Sequence, residues 1–302
     1  MRQTHIRATP SSRMLCAMAL ALSLLLGGCR SEPADAPIAF LAQRDGLWQA
    51  WWIERAGAQP KALSKTSEDV IRLSWYPNGR ELLLNLQDGR LVKVNVANGL
   101  TTKLDFPVAG VADAVISPDG RRIAYSVSMV DSGDRNDLWT YDLATRERRK
   151  LTTMPGLQHD PVWSPDGKAI YFLSAGGPQA HDLWRLDLAT GSTEQLTVNA
   201  LYHFDPAVRS DGLIAYSGNE DGDYDLWTLK PGKPPQRLTR DPALDARPSW
   251  SPDGRTLVFE STRDGGTHQL WRIDPEGGQA TRLTNLPGGA RMPVWAPTGM
   301  RR

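Results

Sequence analysis

Cysteine is nearly absent from this chain, and so is net charge. Of 302 residues only Cys16 and Cys29 are cysteines, so the sequence beyond position 29 has no thiol for a disulfide, a metal site or nucleophilic catalysis. Lysine and arginine number 35 against 34 acidic residues, which gives a net charge of +1. Because nucleic-acid binding needs a basic field, this balance predicts no nucleic-acid partner.

Helical periodicity and catalytic motifs are also lacking beyond position 29. No long stretch there repeats apolar side chains at helical spacing, and no G-x-S-x-G elbow occurs. Only five histidines are present, and His5 precedes the apolar leader. The sequence therefore favours a non-enzymatic protein without a cofactor, whose fold is held closed by something other than cystine.

The first 28 residues have the pattern of a bacterial lipoprotein signal peptide. Three arginines precede "MLCAMALALSLLLGG", a run of about 15 mostly apolar residues that is too short for a comfortable membrane span. The run ends in "LLGGC", which resembles the lipobox at which the chain is cut before a cysteine that is then lipidated. An ordinary secretory signal or a buried helix is the alternative. We therefore expect a signal peptide over 1–28, and a lipidated Cys29 with a polar tether over 29–37.

This leader predicts where the mature protein lies. Lipidation at Cys29 would anchor it to a membrane on the periplasmic side of the cell envelope. The residue after the cysteine is Arg30 rather than Asp, which by the same resemblance favours the outer membrane.

Three short markers recur along the rest of the chain in constant order. The glycine of a W-S-P-D-G-like turn occurs at Gly79, Gly120, Gly167, Gly212, Gly254 and Gly299. A Leu-Trp pair follows at Trp48, Trp139, Trp184, Trp227 and Trp271, with "RLVKV" in the missing place. A closing Leu-Thr or Leu-Ser places its hydroxyl residue at Ser64, Thr152, Thr197, Thr239 and Thr284. The glycine spacing runs from 41 residues (79 to 120) to 47 (120 to 167), close to the period of a β-propeller blade.

Each repeat contains four short strand signals separated by turn residues, which is the composition of one propeller blade. The inner strands are predicted at about 70–76, 113–117, 160–164, 206–209 and 247–251. The N-terminal segment supplies three outer strands without an inner one, and "MPVWAPTG" near the C-terminus supplies an inner strand alone. The sequence thus predicts an all-β, six-bladed propeller of four-stranded blades over 38–302, closed by the C-terminal strand completing the N-terminal blade.

The W-S-P-D-G turn followed by Leu-Trp and Leu-Thr resembles the TolB-like, or WD40-like (PD40), β-propeller family, over residues 38–299. The resemblance implies an envelope protein or a peptidoglycan-associated protein as partner. The protein that gives this family its name is soluble and carries an α/β domain before its propeller, for which residues 30–37 leave no room. We therefore expect a lipid-anchored relative and not that protein itself.

The turns define two faces of the predicted propeller. The W-S-P-D-G turns lie on one, the turn face, while the second-to-third-strand loops and the blade connections lie on the other, the loop face. Because Pro fixes φ and Asp-Gly accepts tight turn geometry, the repeated turn is predicted to be structural. The tether enters the second strand of the first blade from the turn face, so the lipid end should hold that face toward the membrane.

A candidate site lies where the inner strands begin, at the mouth of the central channel on the loop face. Corresponding positions there are Arg72, Asp113, Asp160, Asp205, Arg247 and Met292, and the same face includes His159, His203, Asp245 and Arg291. Three interpretations remain open: a metal or cationic-group site at Asp113, Asp160 and Asp205, local support of strand starts, or ion pairing and partner contact through the arginines.

Other polar residues are predicted to be structural. "DGDYD" at 221–225 spaces carboxylates like a calcium loop, but Leu226 stands where such a loop needs Gly. The Asp before Leu-Trp recurs with the blades, at Asp137, Asp182 and Asp225. His181 and His268 lack paired ligand spacing, so no zinc site is predicted.

Two hypotheses for the function follow. The first is a non-catalytic cell-envelope lipoprotein, monomeric because ring closure leaves no free sheet edge, that serves as an interaction scaffold through its loop face. The alternative is a propeller enzyme of the sugar lyase or hydrolase type, or a small-ligand or metal-binding propeller, with its site at the channel mouth.

Overall fold

The computed structural model describes residues 36–297 except 109, 128–136, 178–179, 199–202 and 220–221. The predicted signal peptide, Cys29, most of the tether and Gly299 lie outside the described residues. In the described part the regular structure is all strand, and no helix there is long and apolar enough to cross a membrane.

The strands form six antiparallel sheets of four, one for each blade. The first three blades use β1 (Ile38–Arg44), β2 (Leu47–Ile53), β3 (Lys61–Ala62), β4 (Val70–Trp75), β5 (Glu81–Leu86), β6 (Leu91–Asn95), β7 (Thr101–Lys103), β8 (Val111–Ile116), β9 (Arg122–Val127), β10 (Asp137–Asp142) and β11 (Arg148–Lys150). The remaining strands are β12 (Leu157–Trp163), β13 (Ala169–Gly177), β14 (Ala180–Asp187), β15 (Thr193–Gln195), β16 (His203–Val208), β17 (Ile214–Gly218), β18 (Asp225–Leu229), β19 (Gln236–Arg237), β20 (Asp245–Trp250), β21 (Leu257–Ser261), β22 (Gln269–Ile273), β23 (Thr281–Arg282) and β24 (Ala290–Trp295). The predicted six-bladed, all-β propeller is confirmed.

The two ends of the described chain meet in one blade, as predicted. Its sheet has the order β24-β1-β2-β3, with Ile38 opposite Trp295 and Ala42 opposite Ala290. The amide of Ala296 donates to the carbonyl of Pro37 at 2.8 Å, so the chain enters this blade at the turn face. A strand from the C-terminal end thus closes the ring without a disulfide.

Apolar side chains of neighbouring blades pack against one another, and tryptophans tie the inner strands together. The Trp75 indole donates to the Val294 carbonyl at 3.1 Å, and the Trp250 indole to that of Ala207 at 3.1 Å. Each bond joins an inner strand to the inner strand of the preceding blade. At these two positions the tryptophan of the turn phrase therefore both fills the gap between blades and satisfies its own N–H there.

The closing Leu-Thr or Leu-Ser marker has a specific task in each blade where it occurs. Its hydroxyl accepts a hydrogen bond from a third-strand amide at 2.8–2.9 Å; the amides belong to Ala50, Leu138, Leu183, Leu226 and Leu270. The hydroxyl residues are buried, so each bond fixes the outermost strand to the third strand in a place without water.

The same bonds correct one prediction for the first blade. Its third-strand amide is that of Ala50, so Trp51 stands at the recurrent Leu-Trp position and Trp48 does not. Trp51 pairs with Phe40, just as Trp184 pairs with Phe172 in the fourth blade. The prediction misassigned this marker because "LWQAWW" contains tryptophans three and four residues apart.

The W-S-P-D-G turns are self-contained in their hydrogen bonding. In the fourth blade Ser164 Oγ donates to Asp166 Oδ1 at 2.6 Å, and Gly167 N donates to the Ser164 carbonyl at 2.9 Å. Gly167 has φ of 69°, a value that favours glycine. The recurrent Ser, Asp and Gly are thus used in making the turn.

Candidate functional site

A strained backbone position recurs at the loop-face end of the inner strands. Five non-glycine residues there have φ between 50° and 56°; they are Asp113, Asp160, Asp205, Arg247 and Met292. Each lies at a register shift between the first two strands of its blade. A bulge redirects side chains, and such backbone costs about 1–3 kcal/mol at each position and clusters at functional sites.

These bulges correct the predicted strand starts. The inner strands β8, β12, β16 and β20 begin two to three residues before the predicted bounds, at Val111, Leu157, His203 and Asp245. The candidate residues therefore lie inside the strands and not ahead of them. The sixth position, Arg72, follows a register shift in β4 but is not among the residues with positive φ.

Arg72 is the cation around which the first group of acids is arranged. Its Nη1 lies 2.5 Å from Asp160 Oδ1 and 3.6 Å from Asp113 Oδ1. The side chains of Arg72 and Asp160 are only 11% and 15% exposed. A guanidinium thus already stands between the carboxylates that a hard metal ion would need, which favours ion pairing over the metal interpretation.

The potential metal ligands that the structure brings together are not the three that the sequence suggested. Ligand atoms of Asp113, His159 and Asp160 lie within 4.8 Å of one another, and Asp205 is not in this group. His159 of this group is hydrogen-bonded to a second histidine, His181, so the group extends toward the loops.

A hydrogen-bonded chain runs from Asp160 through two histidines. His159 Nδ1 lies 3.1 Å from Asp160 Oδ2, and His159 Nε2 lies 2.7 Å from His181 Nδ1. Burial raises the pKa of Asp160, but the bond from His159 and the charge of Arg72 outweigh it and hold that pKa well below its usual range. Burial lowers the pKa of His159, yet the hydrogen bond and charge of Asp160 raise it overall, while burial and the charge of His159 lower the pKa of His181. These opposite shifts favour His159 as the donor and His181 as the acceptor in the bond between the two rings.

No sequence pattern indicates that His181 joins this hydrogen-bonded chain. It lies on β14, opposite Ala175 of β13, and β13 in turn pairs with β12, which carries His159. Two strand registers have to be known before the two rings can be placed together.

A second group of charges surrounds Arg247. Its Nε lies 3.7 Å from Asp205 Oδ2 and 3.6 Å from Glu260 Oε1. Glu260 also lies 3.2 Å from His268 Nδ1 and accepts a bond from the Met292 amide at 2.7 Å. Burial raises the pKa of Asp205 to about 6, although the charge of Arg247 opposes this. The sequence analysis missed Glu260, whose only signal is a carboxylate inside the apolar strand "LVFES".

The remaining residues predicted for the loop face differ in how exposed they are. Arg291 is exposed and its guanidinium carbon lies 4.6 Å from the centre of the Trp48 ring. Asp245 is fully buried and bound by Arg263 Nη2 at 2.6 Å, so it cannot contact a partner on the folded surface. The side chain of His203 lies outside the described residues.

The Asp residues before Leu-Trp contact their own blades. Asp182 accepts bonds from Gln195 Nε2 at 3.0 Å and Thr197 Oγ1 at 3.1 Å. Asp225 is fully buried and accepts a bond from Thr239 Oγ1 at 2.9 Å. These contacts are structural, and they take Asp225 out of any calcium loop; residue 221 of that segment lies outside the described residues.

Several known proteins are similar to this chain. It is 28% identical to the Tol-Pal system protein TolB of Bordetella pertussis, over 86% of this chain and 59% of that protein. It is 28% identical to an uncharacterized protein of Agrobacterium fabrum, over 75% of this chain and 62% of the relative. The chain thus spans about three fifths of the length of these two curated relatives.

Solved structures share the fold. TolB from Acinetobacter baumannii superposes with a TM-score of 0.76 at 24% identity, covering 88% of this chain and 68% of that one. A manganese complex of oligogalacturonate lyase superposes with a TM-score of 0.53 at 18% identity, covering 83% and 73%. At these identities the likeness concerns the fold alone.

The family comparison covers nearly the whole described propeller. The profile of the PD40 family matches residues 38–227 and 204–301. The six four-stranded blades and the recurrent turns are the structural counterpart of that match. This chain belongs to the PD40 family, the TolB β-propeller domain.

Proposed function

We propose that this protein is a non-catalytic scaffold of the cell envelope, anchored by a lipid at Cys29, whose loop face recognises an envelope protein or a peptidoglycan-associated partner. The observation that carries the proposal is the group of charged side chains at the channel mouth. Four inner strands each bring a charged side chain there on a strained bulge, and a fifth brings Arg72.

The mouth presents charges in pairs that remain partly accessible. The side chains of Asp113 and Arg247 are 27% and 36% exposed, and both belong to ion pairs within the protein. Exposed Arg291 over Trp48 adds a cation and an aromatic surface at the same end of β24. Arginine and tryptophan are the side chains most enriched among residues that dominate protein interfaces, and paired charges select a partner by complementarity.

The family supports an envelope partner by analogy. The curated relative from Bordetella pertussis carries the name of a Tol-Pal system protein. We propose that this chain acts in the same compartment, on the periplasmic side and with its lipid in the outer membrane.

The orientation that we propose follows from the point where the chain enters. Because Pro37 and Ile38 meet Ala296 and Trp295 at the turn face, a lipid attached before residue 36 would hold that face toward the membrane and leave the loop face free. Labelling of the purified lipidated protein on vesicles should then modify lysines of the loop face faster than those of the turn face. The opposite order would contradict the orientation.

The proposal is tested by in-cell cross-linking of the tagged protein with two matched double variants. Arg247→Gln with Arg291→Gln removes two cations from the loop face, and Arg121→Gln with Lys168→Gln removes two exposed cations from the turn face. We expect a discrete envelope partner that the loop-face variant loses and the turn-face variant keeps. Loss in the turn-face variant instead, or no partner in any sample, would contradict the proposal.

One observation favours the competing hypothesis of an enzyme. The chain from Asp160 through His159 to His181 has the form of a general acid–base relay, in which a carboxylate fixes one ring and the ring passes a proton. If such a site acts on carbohydrate, a set of acidic oligosaccharides should be cleaved by the wild type and not by His181→Asn. If none is cleaved, the scaffold function stands.

A further inference from the structure

A cavity of about 430 Å³ occupies the centre of the propeller. Inner strands of all six blades line it, from the charged positions at the channel mouth to the W-S-P-D-G turns. This size falls in the range of small-molecule pockets, about 300–1,000 Å³. The cavity extends from these charged positions toward the turn face, so it shares Arg72, Asp205 and Arg247 with the proposed partner surface and lies on the other side of them.

The walls of the cavity are apolar over most of its length. Valines and alanines of the inner strands line it, among them Val115, Val162, Ala207 and Val294. Prolines of the turns line its outer end; they are Pro77, Pro118, Pro252 and Pro297. Such walls suit a narrow hydrocarbon stem, because burying each methylene contributes roughly 0.8 kcal/mol.

The charged end of the cavity is formed by Arg72, Asp205 and Arg247, beside Met292. Arg72 is already bound to Asp160. Asp205 is the acid that faces the cavity, and the nearest cationic atom in its ion pair, Arg247 Nε, is 3.7 Å away. That separation is beyond a direct hydrogen bond, so the carboxylate keeps its capacity to accept one.

Carboxylates outnumber guanidiniums where these groups meet. Arg72 and Arg247 lie among four acids, Asp113, Asp160, Asp205 and Glu260. His159 and His268 lie against Asp160 and Glu260 and balance part of this charge. Asp205, whose ion-pair partner is 3.7 Å away, is the carboxylate of the cavity lining that favours a cationic head group over an anionic one. The raised pKa of Asp205, which burial brings to about 6, agrees with a carboxylate that lacks a close cation.

We propose that the central cavity binds a primary ammonium group carried on a linear apolar stem, with the ammonium at Asp205 and the stem along the valine and proline walls. This inference goes beyond the proposed scaffold function and does not depend on it. The same chemistry is presented by a free alkylamine and by a lysine side chain of a peptide that enters from the turn face.

The first test compares head groups on one stem. Isothermal titration calorimetry with n-hexylamine, n-hexanol and n-hexanoate at pH 7.5 should give tightest binding for the amine. A hydrogen bond to a charged group is worth roughly 1.5–3 kcal/mol, so the preference over the alcohol should be about tenfold or more. Hexanoate binding as tightly as hexylamine, or no binding of hexylamine, would overturn the proposal.

Three variants locate the head group. Asp205→Asn should remove the preference for the amine, whereas Arg247→Lys, which keeps a cation beside that carboxylate, should retain it. Asp264→Asn, at an exposed acid paired with Arg282 away from the cavity, is the matched control and should bind as the wild type does. Unchanged amine preference in Asp205→Asn, or its loss in Arg247→Lys, would contradict the placement; if Asp205→Asn does not fold, the wild-type series and Arg247→Lys still decide.

A competition arm separates the two sources of the amine. A short blocked peptide, acetyl-Gly-Lys-Gly-amide, is added to the hexylamine complex. Displacement of hexylamine assigns the cavity to a lysine of a peptide, and failure to displace it assigns the cavity to free amines. Loop-face partner capture is unaffected by either result, so failure of this proposal and failure of the scaffold function are distinguishable.

Discussion

At the channel mouth, single charged residues are buried, and the free-energy cost of burying each charge is offset by ion pairs with its neighbours. Arg72 is buried, and its charge is tolerated because Asp160 bonds to it directly and Asp113 lies close by. Removing one partner of a buried pair leaves the other charge without compensation, which costs far more than the pair contributes when intact.

We therefore expect Asp160→Ala to lower the free energy of unfolding by about 3–5 kcal/mol. The control is Asp264→Ala, which breaks a second pair, in which the side chains of Arg282 and Asp264 are 32% and 39% exposed, and should cost about 1 kcal/mol or less. Urea denaturation of both variants measures the difference. Equal losses of unfolding free energy in the two variants would show that the buried charge of Arg72 does not need Asp160 to compensate it.

The raised pKa of Asp205 makes a prediction about pH. A carboxyl whose pKa is 3.8 when unfolded and about 6 when folded binds more protons in the folded state between these values. Its contribution to stability is therefore greatest below pH 4 and is lost as the pH rises to about 6. Asp205→Asn cannot ionise, so its unfolding free energy relative to wild type should increase between pH 4 and pH 7. Denaturation at each pH would give parallel profiles if Asp205 titrated normally.

At the scale of the blade, the hydroxyl of the closing Leu-Thr marker fixes the outermost strand. Thr284 Oγ1 accepts a bond from the Leu270 amide at 2.8 Å and donates to Gln269 Oε1 at 2.8 Å. Thr284→Val keeps the shape but leaves the buried Leu270 amide without its acceptor. It also removes one of two donors to Gln269 Oε1, which keeps its bond from the Leu286 amide at 3.1 Å. We expect this substitution to lower the free energy of unfolding by about 1–3 kcal/mol.

The control for this variant lies on β23, the outermost strand that Thr284 follows. Thr281 is exposed, so Thr281→Val should change stability by less than about 0.5 kcal/mol. If Thr284→Val and Thr281→Val lower the free energy of unfolding equally, the buried hydroxyl does not fix the outermost strand.

The strands and turns of a blade were predictable from the sequence where the recurrent markers are present. The turn phrase recurs in every blade, and the tryptophan and the closing hydroxyl recur in every blade but the second, because each meets a local need of turn, packing or hydrogen bonding. The first blade was the exception, since Trp51 and not Trp48 occupies the recurrent position.

The candidate site was predictable only in part. Aligned repeats placed Arg72, Asp113, Asp160, Asp205 and Arg247 in corresponding positions, but they did not reveal the bulges with positive φ. A bulge breaks the simple alternation of side chains, and positive φ at Asp or Arg has no clear sequence signal. His181 and Glu260 were missed because they reach the site through strand pairing and not through sequence proximity.

At the scale of the whole molecule, closure of the ring rests on one strand. β24 pairs with β1, whose residues from Ile38 to Ala42 are 3% exposed or less. Ending the chain after Gly289 should leave that edge unpaired, and we expect aggregation or loss of a cooperative thermal transition. Ending it after Pro297 keeps β24 and should preserve both. A monomeric, cooperatively unfolding chain that lacks β24 would contradict this view of closure.

The central claim is that the loop face, and not the turn face, meets a partner in the cell envelope. The most direct measurement is site-specific photo-cross-linking in cells, with the reactive amino acid placed at exposed positions of each face: Lys65, Asp88 and Asn285 on the loop face, Arg80 and Lys168 on the turn face. We expect adducts of one defined mass from loop-face positions that turn-face positions do not give. Adducts confined to the turn face, or of no defined mass at either face, would contradict it.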